Sequence, residues 1–552
     1  MTYRAADALA DTLLRHGVDR AFGVPGESFL AALDALLDRP AIDLVTCRHE
    51  GAAALAAAAD ARLTGRPGVL FVSRGPGMSN ACIGVHVAQQ DALPLVVFVG
   101  QVDRPLLGRH AFQEVDYRRM FGGFAKDVLE VQLASRMGQT IAQAFASARS
   151  GTPGPVLVVL PEDVLGEPCD SGAAEPLGST QPAADRRSLD ALADRLASAQ
   201  RPVLVVGGQA RSAQFRRALE RLSEAWQLPV ALTNKNQDLF SNTHPHWAGH
   251  LGFFVSPSVS ALLARADLVL AIGTRLGDTT SQGYTFPRAH GQAQTLVHAY
   301  PDAAVPASQH QTAQSIVTDA LALVDGMLER PVAALPPRDA WLAEVAQARE
   351  GAHGWDAAQT PAQDVFGHVV QAIAAELAPD AIVTLDAGNF STWVHRILRL
   401  QPTHTLLAAA CGAMGMGVPA ALAAGLRHPG RQLLAFCGDG GFLMTGNELA
   451  SAVGRRVPLR IVVANNGSYG TIRSYQERQF PHRVHGTALH NPDFVALARA
   501  YGAAGYRVSD AAQARDTVQR FLAEPGAAVL EVVCDIEQIM AGTTLARLRP
   551  VA

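Results

Sequence analysis

Cysteine is scarce. Six residues, Cys47, Cys82, Cys169, Cys411, Cys437 and Cys534, are scattered through a chain of 552 with no CxxC and no short paired spacing. That excludes a disulfide framework and a cysteine zinc site, and a reducing, cytoplasmic compartment is expected. An excess of charge of one sign is also missing: 46 Lys and Arg stand against 50 Asp and Glu, a formal net charge of −4. No run of basic residues stands out, so neither a long nucleic acid nor an anionic membrane is an expected partner. There is no low-complexity tract and no short solenoid repeat. The opening segment, Met1 to Asp7, carries Arg4 and Asp7 and no apolar core, so no secretory leader is expected. One uncharged stretch, Thr405 to Leu426, is long enough to cross a bilayer. Its Gly412, Gly415, Gly417, Gly425, Pro419 and many alanines read instead as a buried loop and helix.

What the chain has is apolar material, 48% of residues with only 17% charged. That suffices for several buried cores and excludes a disordered chain. Short β-branched runs recur, each ending in glycine or polar residues and followed by a helical segment. Examples are LPLVVFVGQ from Leu93, PVLVVLPED from Pro155, PVLVVGGQ from Pro202, DLVLAIGTR from Asp267, QLLAFCGDG from Gln432 and LRIVVANNG from Leu459. Runs apolar throughout rather than alternating belong to strands covered on both faces. The expected class is α/β, with three doubly wound parallel-sheet domains whose ligands sit at strand carboxyl ends. Pro- and Gly-rich linkers at Gly166 to Asp185 and Arg330 to Pro337, with a loop at Gly351 to Pro361, place the domains at 1–165, 185–330 and 360–552.

Two groups carry the most chemistry. Gly438-Asp439-Gly440-Gly441 and Asn465-Asn466 each close an apolar strand, with 24 residues between Gly440 and Asn465. A helix, roughly Leu443 to Arg455, is expected between them. This strand–helix–strand crossover puts two metal-competent side chains at one sheet edge. The glycines let backbone N–H groups approach phosphate oxygens. Asp439 offers an anionic oxygen and Asn466 a neutral one, the hard donors that magnesium shares with substrate phosphates.

The pattern Gly-Asp-Gly, about 24 residues, then Asn-Asn resembles the fingerprint of thiamine-diphosphate enzymes, and the rest of the chain agrees. His49-Glu50 before an Ala-rich helix looks like the family's Arg-His-Glu segment. Gly75-Pro76-Gly77-Met78-Ser79-Asn80 looks like its Gly-Pro-Gly-x-x-Asn loop. Ala111-Phe112-Gln113-Glu114 and Gly412-Ala413-Met414-Gly415-Met416-Gly417 are similar to segments of acetolactate (acetohydroxyacid) synthases. The resemblance, to acetolactate synthase-like or pyruvate-oxidase-type enzymes, implies a pyrimidine-binding domain, a middle domain and a diphosphate-binding domain. It also implies thiamine diphosphate and Mg2+ as cofactors.

Carried over by position, Asp439, Asn466 and the Ser468 carbonyl would bind the metal. Gly388, Asn389, Gly438, Gly440, Gly441, Tyr469 and Gly470 would line the diphosphate pocket. Glu50 would hold the aminopyrimidine in the tautomer that takes the thiazolium proton, which is general acid–base work. Met414 would prop the bent cofactor, and the Gly412 carbonyl would accept from its amino group. Gln113, beside Phe112, would face the reacting centre. The resemblance further implies a 2-oxo acid substrate and a homo-oligomer, a dimer at minimum and commonly a tetramer. The reaction is a synthase-like transferase carboligation or, alternatively, simple decarboxylation by a lyase that releases an aldehyde.

Three positions depart from acetolactate synthases: Tyr475 replaces Trp, Arg74 stands where Ser precedes Gly-Pro-Gly, and Glu27 stands where Gly follows Pro-Gly. Glu27 is expected to point at the reacting centre, as an acidic residue does in related pyruvate decarboxylases. FAD is left open. Gly207-Gly208 and Gly273 to Asp278 echo flavin contacts of several relatives, whereas Leu296 to Asp302 lacks the acidic stretch that usually meets the flavin.

Overall fold

The apolar runs form strands, and every pairing between them is parallel. The computed structural model describes residues 2–178, 180–253, 255–288, 294–332 and 334–550. The first sheet contains β1 Arg20–Gly23, β2 Asp43–Thr46, β3 Gly68–Val72, β4 Leu95–Gln101, β5 Asp127–Glu130 and β6 Pro155–Pro161. The second contains β7 Pro202–Val206, β8 Val230–Leu232, β9 Trp247–His250, β10 Leu268–Ile272, β11 Thr295–Tyr300 and β12 Gln314–Val317. The third contains β13 Ile382–Leu385, β14 Thr405–Leu407, β15 Leu433–Gly438, β16 Arg460–Asn465, β17 Ala504–Val508 and β18 Ala528–Val533. Central strands such as β3, β4 and β6 are buried along their whole length, as coverage on both faces requires.

The first and third sheets share one strand order, β2-β1-β3-β4-β6-β5 and β14-β13-β15-β16-β18-β17, while the second runs β12-β11-β10-β7-β8-β9. In each, the order reverses between two neighbouring strands and opens a crevice at their carboxyl ends. In the third sheet that point lies between β13 and β15, directly before Asp386 and Asp439.

The first and third sheets are joined through helices of small residues. The Glu50–Thr64 helix is buried from Gly51 to Arg62, and the Gly417–Arg427 helix from Gly417 to Gly425. Both belong to one core cluster with β3, β4, β15 and β16. The Glu50–Thr64 helix is as tightly packed on its other side, within the first unit, where a Cβ on Gly84 would lie 2.3 Å from that of Ala54. An ion pair locks the seam. Arg427 Nη2 donates to Asp60 Oδ2 at 2.8 Å, and the two side chains are 12% and 5% exposed.

Three local expectations change. The helix expected over Leu443 to Arg455 starts earlier, at Asp439, and is two helices, Asp439–Thr445 and Glu448–Gly454. Gly446 and Asn447 interrupt it, glycine being a poor helix former and Asn competing for the backbone. The loop expected from Gly351 begins only after His353, because the Asp339–His353 helix continues to pack that ring against Trp247, with centroids 4.7 Å apart. The uncharged stretch splits into β14 and the Gly417–Arg427 helix, and no described helix is long and apolar enough to span a membrane.

Removing Arg427 leaves the Asp60 carboxylate buried without its partner. Arg427→Ala should lower the unfolding free energy in urea by about 3–5 kcal/mol. A loss below about 1 kcal/mol, the range of a surface pair, would mean that the seam does not depend on it.

Candidate cofactor site

The crevice between β13 and β15 widens into a cleft of about 830 Å3. All twelve third-unit residues expected to contact the cofactor line it. Gly388 and Asn389 come from the turn after β13, and Gly412 and Met414 from the loop after β14. Gly438, Asp439, Gly440 and Gly441 come from the end of β15 and the helix that follows, and Asn466, Ser468, Tyr469 and Gly470 from the loop after β16. Backbone approach explains two of the glycines. A Cβ on Gly440 would sit 2.5 Å from the Tyr469 ring, and one on Gly441 2.5 Å from Asp386 Oδ2.

Asp439 is fixed from several sides. Its Oδ1 accepts from Gly440 N, and its Oδ2 from Gly467 N and Asn491 Nδ2, each at 2.8 Å. Burial raises its pKa, and these donors work against that. Asn466 Oδ1 accepts from Ser468 N at 3.0 Å, which bends the loop so that Asn466 and Ser468 share the cleft wall. Asn389 Oδ1 accepts from Thr471 Oγ1 at 2.9 Å and ties the two rims together.

Asn491 was not singled out from the sequence, where His490-Asn491-Pro492 reads as a turn. In the structure its Nδ2 also donates to Asn465 Oδ1 at 2.9 Å, while Asn465 Nδ2 donates to Glu531 Oε1 at 2.7 Å. Glu531 in turn accepts from Arg507 Nε at 2.8 Å. A buried polar chain thus runs from β17 and β18 to Asp439.

The cleft fits a diphosphate and a hard cation. Among the described residues, Asp386 Oδ2, Asn389 Nδ2 and Ser468 Oγ are buried without a hydrogen-bond partner, and such atoms are costly unless a ligand or water meets them. Burial lifts the Asp386 carboxyl to about 6. No cluster of three His, Cys, Asp or Glu able to hold a metal occurs among the described residues. The donors here, one carboxylate, one amide and one carbonyl, suit magnesium that completes its shell with phosphate oxygens and water.

The three first-unit candidates lie elsewhere and do not line this cleft. Glu50 opens its helix, and its Oε2 accepts from Asn80 Nδ2 at 2.9 Å beside Gly77. Gln113 has φ +62°, and its carbonyl accepts from Gly75 N at 3.2 Å. Glu27 follows β1 and, in the single chain, is 61% exposed rather than enclosed. It pairs with Arg74, 2.6 Å away, which also reaches Glu162 at 3.2 Å and lies 6.0 Å from the Phe112 ring centroid. Two departures noted in the sequence therefore meet in one ion pair.

Glu448 is a further residue the sequence reading missed. It is fully buried in the third unit, and its Oε1 accepts from Arg48 N at 2.7 Å, fixing the segment that leads into Glu50. No local pattern marks a partner 400 residues away.

In the middle unit the loop after β7, with Gly208, Gln209 and Arg211, lines a second cleft of about 1460 Å3 together with Asp319 and Arg62. A Cβ on Gly207 would lie 2.5 Å from Gly273 O, and one on Gly208 2.6 Å from Asn236 Oδ1. Gln209 bridges across to Asp319 at 3.2 Å, and Asp238 is held between Arg211 and Arg216. This cleft leaves room for an extended ligand beside the strand ends.

Three domain models match the chain. Residues 3–120 match the family described as thiamine pyrophosphate enzyme, N-terminal TPP binding domain. Residues 189–327 match its central domain, and residues 386–532 its C-terminal TPP binding domain. The chain is 36% identical over 540 residues to the acetolactate synthase large subunit of Parasynechococcus marenigrum (strain WH8102), covering 95% of this chain and 85% of the relative. It is 32% identical over 538 residues to the acetolactate synthase isozyme 2 large subunit of Escherichia coli (strain K12), covering 96% and 95%. It is 30% identical over 548 residues to the mitochondrial acetolactate synthase catalytic subunit of Saccharomyces cerevisiae (strain ATCC 204508 / S288c), covering 95% and 80%.

Asn491 does not itself line the cleft but holds Asp439, which does, so it separates positioning from ligation. Asn491→Ala should weaken magnesium-dependent retention of thiamine diphosphate by about 10–100-fold, the range for partners that orient metal ligands. Titration followed by tryptophan fluorescence reads this. Unchanged affinity would show that Asp439 is held well enough by backbone donors alone.

Proposed function

The chain belongs to the thiamine pyrophosphate enzyme family, and on that premise we propose that it is a thiamine-diphosphate- and magnesium-dependent carboligase acting on 2-oxo acids, related in reaction to acetolactate synthase. One observation carries the reading: Asp439, Asn466 and Ser468 converge, with unpartnered buried polar atoms beside them, in the cleft that also holds Met414. Family membership and the acetolactate synthase relatives support it.

The bound cofactor supplies an acidic carbon whose conjugate base adds to a 2-oxo acid, and an electron sink for loss of CO2. The residues of the chain do the rest. Asp439 Oδ, Asn466 Oδ1 and the Ser468 carbonyl hold magnesium against the diphosphate. Gly440 and Gly441 let backbone N–H groups reach phosphate oxygens. Met414 and the Gly412 carbonyl, both lining the cleft, would hold the cofactor's ring system, Met414 by packing and Gly412 by accepting a hydrogen bond. The Glu50 carboxyl holds a proton at the aminopyrimidine ring nitrogen.

Glu50 and the cleft lie apart within one chain, so we propose a homo-oligomer, at least a dimer, in which the first unit of one subunit covers the cleft of another. Phe112, 72% exposed, and the half-exposed Leu443 and Met444 support a surface made for burial. A cytoplasmic enzyme is our reading from the unpaired cysteines.

Glu50→Gln should bind cofactor normally but lose about 10²–10⁴-fold in turnover. Paired with Asp439→Ala in mixed oligomers, it should regain activity, because some interfaces then carry both native residues. Turnover near wild type in the single variant, or no recovery in the mixture, would defeat the relay or the shared site respectively.

Glu27 decides between ligation and aldehyde release under the second reading, that of a simple decarboxylase. Glu27→Gly should change the ratio of ligated product to free aldehyde, read by mass. An unchanged ratio and rate would place Glu27 outside the reacting centre.

A further inference from the structure

The wall of the cleft contributed by the middle unit carries a charge that the site described above leaves unused. Lys235 lies in the loop after β8, 6% exposed, and lines the cleft with Met414 and Gly412. Its Nζ is 3.2 Å from His395 Nε2, its one hydrogen-bond partner among the described residues. The backbone is held with care. Lys235 has φ +61°, a conformation costly for a side-chain-bearing residue. Arg62, arriving from the first unit, donates to the Lys235 carbonyl at 2.6 Å and to Asn236 Oδ1 at 3.0 Å.

The surroundings make this ammonium available to an anion. His395, His250 and His353 stack beside it, with centroids 5.2 Å and 5.0 Å apart for His250–His395 and His250–His353. Burial pushes all three imidazoles down, His250 to about 4 and His353 to about 2, so they are neutral at pH 7. His395 can then accept from the ammonium but cannot neutralise it. The opposing carboxylate is Asp386, itself lifted to about 6 by burial. Burial lowers Lys235 only to about 8, which leaves it mostly protonated at pH 7. A buried ammonium with one neutral partner is a strong site for a desolvated carboxylate.

We infer that Lys235, oriented by His395, anchors the carboxylate of the 2-oxo acid that accepts the new carbon–carbon bond. This rests on the reaction proposed above. The choice of acceptor over donor follows from the chemistry. A cation paired with the donor carboxylate would stabilise the very group that must leave as CO2, raising that barrier. The acceptor keeps its carboxylate from encounter to product, so an anchor there aids binding without opposing a step.

The test uses the holoenzyme, with pyruvate as donor and either 2-oxobutyrate or benzaldehyde as acceptor. Lys235→Gln should raise the KM for 2-oxobutyrate by about 10–100-fold, with a much smaller effect on ligation to benzaldehyde and no change in thiamine diphosphate affinity. Lys235→Arg should recover part of the loss. Should the Gln variant not fold, His395→Gln, which frees the ammonium to swing, should raise the same KM by a smaller factor. Equal losses with both acceptors, or weaker cofactor binding, would overturn the inference. So would a wild-type enzyme that releases CO2 yet joins no 2-oxo acid acceptor, although the decarboxylase reading would then stand. A holoenzyme that consumes no 2-oxo acid would instead overturn the reaction proposed above.

Discussion

The close approach of alanine- and glycine-rich helices between the first and third sheets is the constraint on which the molecule depends. Each of these helices is also pressed tightly onto its own unit: a Cβ on Gly68 would meet Ala57 O at 2.1 Å, and one on Gly425 would meet Val457 Cγ1 at 2.3 Å. Close-packed interiors transmit such restrictions. The seam fixes more than stability. Glu50 opens one of its helices, and Arg62 near the other end of that helix reaches Lys235 in the middle unit and Ala408 in the third. One rigid helix therefore positions Glu50 at one end and a corner of the cleft at the other.

The sequence made legible whatever is local. Nearly continuous apolar runs identified parallel strands because burial on both faces leaves no alternation. The two motifs at Asp439 and Asn465-Asn466 identified the cleft because strands β15 and β16 are neighbours joined by one crossover. Every third-unit residue assigned to the cofactor lies in that cleft. The break at Gly446 was harder to see, since a helix of that length fits the apolar spacing equally well.

What the sequence hid is non-local. Asn491 reaches Asp439 across 52 residues, Glu448 reaches Arg48 across 400, and Lys235 meets His395 across 160. Each is an ordinary polar residue in its own segment: Asn491 in a turn, Glu448 at a helix start, Lys235 in a polar loop. Only the folding of three sheets against one another turns them into partners. In the middle unit, Gly207 and Gly208 let Thr274 and Asn236 pack against the strand ends, and Gly208 also lines the second cleft.

Charge in the reacting space reads differently once these partners are known. A carboxylate at the reacting centre, taken alone, would repel a second 2-oxo acid and favour a neutral acceptor. In the structure Glu27 is held by Arg74, so much of its field is offset at short range. Lys235 has no such carboxylate at contact distance and sits in a buried wall where its field is poorly screened. If the first unit of one subunit covers the cleft of another, a paired carboxylate faces an unpaired ammonium across the reacting space. The balance then favours an anionic acceptor over a neutral one. The departures from acetolactate synthases at Glu27 and Arg74 then amount to one compensated ion pair, with which a 2-oxo acid acceptor is compatible.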